Sequence, residues 1–116
     1  TRLLQGQHVF HAPELILPEF ASILWKKVRR GEVSAAEGER ILTAFSAKSL
    51  ILHSHKRLIR SAYTGAGTTG QTVYDWTYLA LAVSLSCELV TADEAFYKAL
   101  ESTPLRANLL WIESVP

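Results

Sequence analysis

The sequence predicts a single α/β domain built on a short parallel sheet with helices on both faces. Apolar residues make up 48% of the 116 positions and charged residues 20%, ample for one core and too apolar for a disordered chain. Short apolar runs centred on residues 50–52, 89–90 and 109–112 suit buried strands. Segments with apolar residues at helical spacing separate them, and strands alternating with helices imply a parallel sheet covered on both sides. No internal repeat, low-complexity tract or second domain is visible, so residues 1–116 read as one domain.

Taken in order, residues 1–5 resemble the tail of a helix stopped at Gly6, and residues 8–12 an extended piece. A helix then starts between Glu14 and Pro18, because proline is tolerated only in a first turn. It carries Phe20, Ile23, Leu24 and Val28 on one stripe and stops at Gly31. Ser34 and Glu37 have capping-box spacing and open a second helix, with Ile41, Leu42 and Phe45 facing inward. A strand at residues 49–53 precedes a helix bearing Leu58, Ile59, Ala62 and Tyr63, and a loop is expected at residues 65–70. Residues 73–86 form the most apolar helix. A strand at 88–91, a helix at 93–100 and a strand at 109–113 complete the chain.

Cys87 is the only cysteine, which excludes a disulfide framework and fits a reducing cytoplasm. No apolar run approaches the roughly 20 residues that span a bilayer. The apolar fraction is high for so small a body, so part of the surface is expected to be covered by a partner or a second copy. Net charge is only +1, but it is unevenly spread. Residues 1–60 hold ten Lys/Arg against five Asp/Glu, and residues 61–116 hold two against six. The basic residues cluster as Lys26, Lys27, Arg29 and Arg30, and as Lys56, Arg57 and Arg60. Such faces either are solvated helix surfaces or hold a polyanion.

Three acids stand out. Glu19 interrupts the apolar stripe of the first helix, where a carboxylate needs a partner: an arginine, a metal, or a helix rotation that turns it outward. Asp75 follows Thr72 by three residues at the start of the most apolar helix. Asp93 follows the strand ending at Thr91, at the carboxyl end where α/β sheets place their sites. Each aspartate also fits a helix-capping role. If the topology gathers the three on one sheet edge, their repulsion calls for a hard cation. Mg²⁺ or Mn²⁺, with oxygen ligands and retained waters, suits phosphodiester hydrolysis.

The stretch Ala12-Pro13-Glu14-Leu15-Ile16-Leu17-Pro18-Glu19-Phe20-Ala21, with Leu24-Trp25-Lys26 and Arg29-Arg30-Gly31-Glu32 after it, resembles the first acidic motif of PIN-domain ribonucleases. It is most similar to the VapC-type toxins of bacterial toxin–antitoxin pairs. Thr72-Val73-Tyr74-Asp75 with Tyr78-Leu79-Ala80-Leu81-Ala82 resembles their second motif, and Leu89-Val90-Thr91-Ala92-Asp93-Glu94-Ala95-Phe96 their third. The resemblance implies a PIN-like three-layer sandwich and a Mg²⁺/Mn²⁺-dependent endoribonuclease. It implies an RNA substrate, a cognate antitoxin and a homodimer. Glu19, Asp75 and Asp93 are implied as metal-site carboxylates, Thr91 as a hydroxyl that holds a water or an aspartate, and Thr72 as a supporting residue. The two basic clusters are the candidate RNA contacts.

The family begins with a strand ending in an aspartate, followed by a helix, and residues 1–13 contain no Asp or Glu. The expectation is therefore that the first strand, helix and aspartate lie outside these 116 residues. A companion strand is expected beside residues 89–90, because short strands apolar on both faces need neighbours on both sides. The alternative is a non-enzymatic PIN-like module that binds protein through its apolar surface. A third reading, nucleotide binding at the G-x-G-x-x-G of residues 65–70, requires a preceding strand. His8, His11, His53 and His55 show H-x-x-H and H-x-H spacings that fit packing or surface roles better than zinc. Trp76 is expected in the core, and Trp25, beside Lys26 and Lys27, at a protein interface.

Overall fold

The computed structural model describes residues 10–114 throughout and the backbone alone of residues 3, 4, 7 and 8. Near its start β1 (Leu3–Leu4) and β2 (Gln7–His8) pair antiparallel. The expected helix tail is thus extended backbone at Leu3 and Leu4, and residues 1, 2, 5 and 6 lie outside the described residues. Five residues are too few to offset the cost of helix nucleation.

Strand β3 (Phe10–Pro13) pairs in parallel with β4 (Leu50–His53), in register from Phe10 opposite Leu50 to Pro13 opposite His53. Between them run α1 (Ile16–Arg29) and α2 (Ala35–Ser46). Pro18 sits in the first turn of α1, where its missing N–H costs nothing. The chain leaves α1 through Gly31, whose φ of +79° favours glycine. The Ser34 hydroxyl accepts the Glu37 N–H at 3.1 Å and opens α2 as expected. The Glu37 carboxylate turns to Arg40 instead of closing the box.

A single 3₁₀ turn (Lys56–Leu58) leads into α3 (Ile59–Thr69), which packs along α4 (Val73–Leu85). Strand β5 (Leu89–Thr91), α5 (Glu94–Leu100) and β6 (Leu109–Trp111) follow, with β5 and β6 parallel and Leu89 opposite Leu109. Helix α4 is apolar nearly all round and buries Trp76, Thr77, Leu79, Ala80, Leu81 and Ala82, as a central helix must. The core joins its residues to Leu58, Ala62, Phe96, Leu100 and Leu109.

The loop expected at residues 65–70 is helix instead. α3 continues to Thr69, and Gly70, with φ +76°, closes it. Three glycines in a short stretch suggest a loop, but here one of them is a packing device. A Cβ built on Gly65 would lie 2.3 Å from the Trp76 ring, so only glycine lets the indole lie flat against α3. The Trp76 Nε1–H donates to Thr69 Oγ1 at 2.8 Å, one helical turn further on, which fixes the ring. With helix on its N-terminal side and no strand leading into it, the G-x-G-x-x-G pattern has no dinucleotide geometry.

The mixed architecture, short parallel strands flanked by helices, is the one the sequence predicts. The described strands nevertheless form separate two-stranded ribbons, and no ladder among the described residues joins β3–β4 to β5–β6. Helix α4 packs against both β3 and β5. Burial on both faces is not reached on β4, where Ile51 and Leu52 remain 46% and 39% exposed. They stay open because no layer fully covers either face of that ribbon.

Candidate active site

Glu19 lies in the first turn of α1, on a half-buried stretch that also carries Phe20. Its partner is neither arginine nor lysine. The Tyr78 hydroxyl, from α4, donates to Glu19 Oε1 and ties together residues 59 positions apart. Among the described residues no ion pair involves Glu19. The hydrogen bond from Tyr78 fixes its position.

Asp75 is half-buried in the first turn of α4, one turn before Tyr78 on the same face. Thr72 is the N-cap, and its Oγ1 accepts the Asp75 N–H at 3.0 Å. The Asp75 carboxylate accepts no hydrogen bond among the described residues, so α4 is capped without it. Burial, the hydrogen bond to Glu19 and the charges of Glu19 and then Asp75 all push the Tyr78 hydroxyl well above its ordinary ionisation range. Glu19 is joined to Tyr78 directly, and Asp75 stands three residues before Tyr78 on α4.

Asp93 is arranged differently. It is exposed and is the N-cap of α5, with Oδ1 accepting the Phe96 N–H at 3.0 Å. Thr91 Oγ1 accepts the Asp93 N–H at 3.0 Å. Thr72 and Thr91 therefore do the same work at two helix starts: each hydroxyl fixes the backbone of the following aspartate. Among the described residues no group of three or more His, Cys, Asp or Glu side chains stands close enough to hold one ion. Glu19 is tied to Tyr78, one turn beyond Asp75, and among the described residues no hydrogen bond or ion pair joins Asp93 to either acid. The donors themselves suit a hard divalent cation. They are carboxylate oxygens, and among the described residues one oxygen of Glu19 and the carboxylate of Asp75 have no hydrogen-bond partner and no cation pairs with them.

The sequence motif contains Tyr78 but gives it no role. The available signal is its spacing, since a residue three positions after Asp75 on a helix shares its face.

The two basic clusters separate physically. Lys26, Lys27 and Arg29 occupy the last turn of α1, where cations complement the helix dipole. Lys27 and Arg30 reach Glu32 at 3.6 and 3.8 Å, and the Arg29 guanidinium stacks on Trp25 at 4.8 Å. Lys56, Arg57 and Arg60 instead surround the start of α3, where the dipole opposes positive charge. No acid lies in that first turn, and among the described residues no ion pair involves them.

Two of the histidines, His11 and His53, pair with each other. His11 Nδ1 and His53 Nε2 lie 2.9 Å apart across the β3–β4 ribbon, so one ring donates and the other accepts. The side chain of His8 lies outside the described residues. Burial first, and then the charge of His53, lower the His11 pKa below its ordinary 6.5. A second proton would leave the pair without an acceptor. The stability that the pair contributes is therefore present above pH 6.5 and lost as pH falls through the lowered folded value. The thermal midpoint is expected to drop between pH 7 and pH 5.5 in the wild type and to drop less in a His11→Asn variant.

No family model matches the chain. It is 35% identical over 94 residues to Ribonuclease VapC3 of Pyrobaculum aerophilum, covering 79% of this chain and 72% of that protein. It is 32% identical over 93 residues to VapC ribonuclease Mb0985 of Mycobacterium bovis and to Ribonuclease VapC9 of Mycobacterium tuberculosis, covering 80% of this chain and 72% of each.

Proposed function

The chain belongs to the VapC family of PIN-domain ribonucleases, and from that membership we propose that it is the toxin of a toxin–antitoxin pair, an endoribonuclease that hydrolyses RNA phosphodiesters with Mg²⁺ or Mn²⁺. The observation that carries the reading to this chain's own residues is the hydrogen bond by which Tyr78, one turn beyond Asp75 on α4, holds Glu19. Glu19, Asp75 and Asp93 would serve the site together with an aspartate from outside these residues, since among the described residues the three alone form no group close enough to hold one ion. When bound, such an ion activates water and offsets charge on the leaving oxygen. The protein's own contribution is to aim the carboxylates, with Tyr78 holding Glu19 and Thr72 and Thr91 fixing the backbones of the two aspartates.

A strand from outside these residues is the proposed neighbour of β5, on the side that faces the β3–β4 ribbon in the family's sheet. Both ribbons pack on α4, both are parallel, and no ladder joins them. The antitoxin and a second copy of the chain are the proposed cover for exposed apolar side chains. Trp25, 58% exposed, stands beside an apolar groove between α1 and α2 lined by Leu24, Val28 and Leu42. No helix among the described residues is long and apolar enough to cross a membrane, and the proposed site of action is the cytoplasm.

Of the basic clusters, Lys56, Arg57 and Arg60 are the stronger candidates for the RNA backbone, because nothing in the fold explains cations at a helix start. Replacing all three by alanine should weaken RNA binding across sequences. Removing one phosphate-binding cation should flatten the dependence of log affinity on log salt by about 0.7, and removing all three by about 2. Alanine at Lys26, Lys27 and Arg30 should change that slope less. Equal slopes for both variants and the wild type would remove RNA from these faces. A Mn²⁺ titration of the intact protein separates the enzyme from a PIN-like binding module, since a scaffold without the site does not take the ion tightly.

A further inference from the structure

We propose that Tyr78 is a positioning residue of the metal centre, whose hydroxyl aims the Glu19 carboxylate at the ion without neutralising it. The inference rests on the reading of Glu19 and Asp75 as metal carboxylates. Glutamate has a longer, freer side chain than aspartate, and Glu19 stands on a different helix from Asp75, so something must hold its end still. Tyr78 does so from α4, one turn beyond Asp75, and engages Oε1 alone. The other oxygen keeps its acceptor capacity for a cation.

The choice of a phenol has a chemical reason. A lysine or arginine at this place would hold the carboxylate equally well, but its charge would compete with a divalent ion. A neutral donor makes a strong, charge-assisted hydrogen bond and leaves the negative charge in place. The ring is rigid and half-buried, so the orientation it imposes does not wander. Groups that orient a metal ligand commonly change affinity by about 10–100-fold when removed.

Mn²⁺ affinity of the intact protein, measured by calorimetry, tests the inference with four variants. Tyr78→Phe is expected to bind Mn²⁺ about 10–100-fold more weakly than wild type. Glu19→Gln is expected to be weaker as well, and adding Tyr78→Phe to Glu19→Gln should cost nothing further, because the hydroxyl acts only through that carboxylate. Glu19→Asp keeps the charge but withdraws it from the hydroxyl. It should also bind more weakly, and it reports on the same bond if the tyrosine variant folds poorly. Wild-type affinity in Tyr78→Phe or in Glu19→Asp, beside a weakened Glu19→Gln, would overturn the positioning role and leave the metal reading standing. An equal loss from Tyr78→Phe in both backgrounds would overturn it too. Wild-type affinity in Glu19→Gln would sink the metal reading itself.

Discussion

Asp75→Asn in the intact protein is expected to lose RNA cleavage by about 10²–10³-fold or more, the scale on which removing one well-placed electrostatic group acts, while the fold survives. Asparagine keeps the size of the side chain and removes the charge that a hard cation needs. The structure sharpens the expectation, because Asp75 does not cap its own helix. Thr72 accepts the N–H at 3.0 Å, and the Asp75 carboxylate is left over. Only the favourable first-turn charge is lost, worth about 0.3–1 kcal/mol. A cleavage assay and a thermal melt on the same preparation check both halves. If melting and activity collapse together, Asp75 is structural.

The second large effect is on stability. Gly65→Ala is expected to destabilise the protein by about 1–3 kcal/mol, although alanine is the better helix former by about 1 kcal/mol. The methyl would sit 2.3 Å from the Trp76 ring. That ring cannot swing away, being buried and hydrogen-bonded to Thr69. Gly67→Ala, in the same helix, has nothing within 4 Å of its Cβ and should be neutral or slightly stabilising. Denaturant midpoints of the two variants decide the matter. The opposite ordering would mean that α3 and α4 do not pack as described.

The contrast between these glycines shows where sequence reasoning reaches and where it stops. The starts of α2 and α4 are legible because capping is local: Ser34 and Thr72 satisfy N–H groups three residues away. The burial of Trp76 and the apolar girth of α4 are legible from composition along one helix. Residues 65–70 look like a loop in the sequence because the reason for Gly65 lies on another helix, and no local pattern reports a tertiary approach. At Leu3 and Leu4 the sequence suggests a helical tail and extended backbone is found, since five residues carry too little periodicity. The three acids are legible as candidates from context. That Tyr78 holds Glu19 is not, because the link spans 59 positions. Asp93, expected in the same cluster, instead caps α5 from an exposed position.

The direct test of a carboxylate metal centre is a Mg²⁺ titration of RNA cleavage by the intact protein, starting from the EDTA-treated form and run beside Glu19→Gln, Asp75→Asn and Asp93→Asn. The predicted result is no cleavage in EDTA, saturable recovery with Mg²⁺ or Mn²⁺ in the wild type, and little or no recovery in the three variants. Cleavage that persists in EDTA, or variants that recover like the wild type, would contradict it.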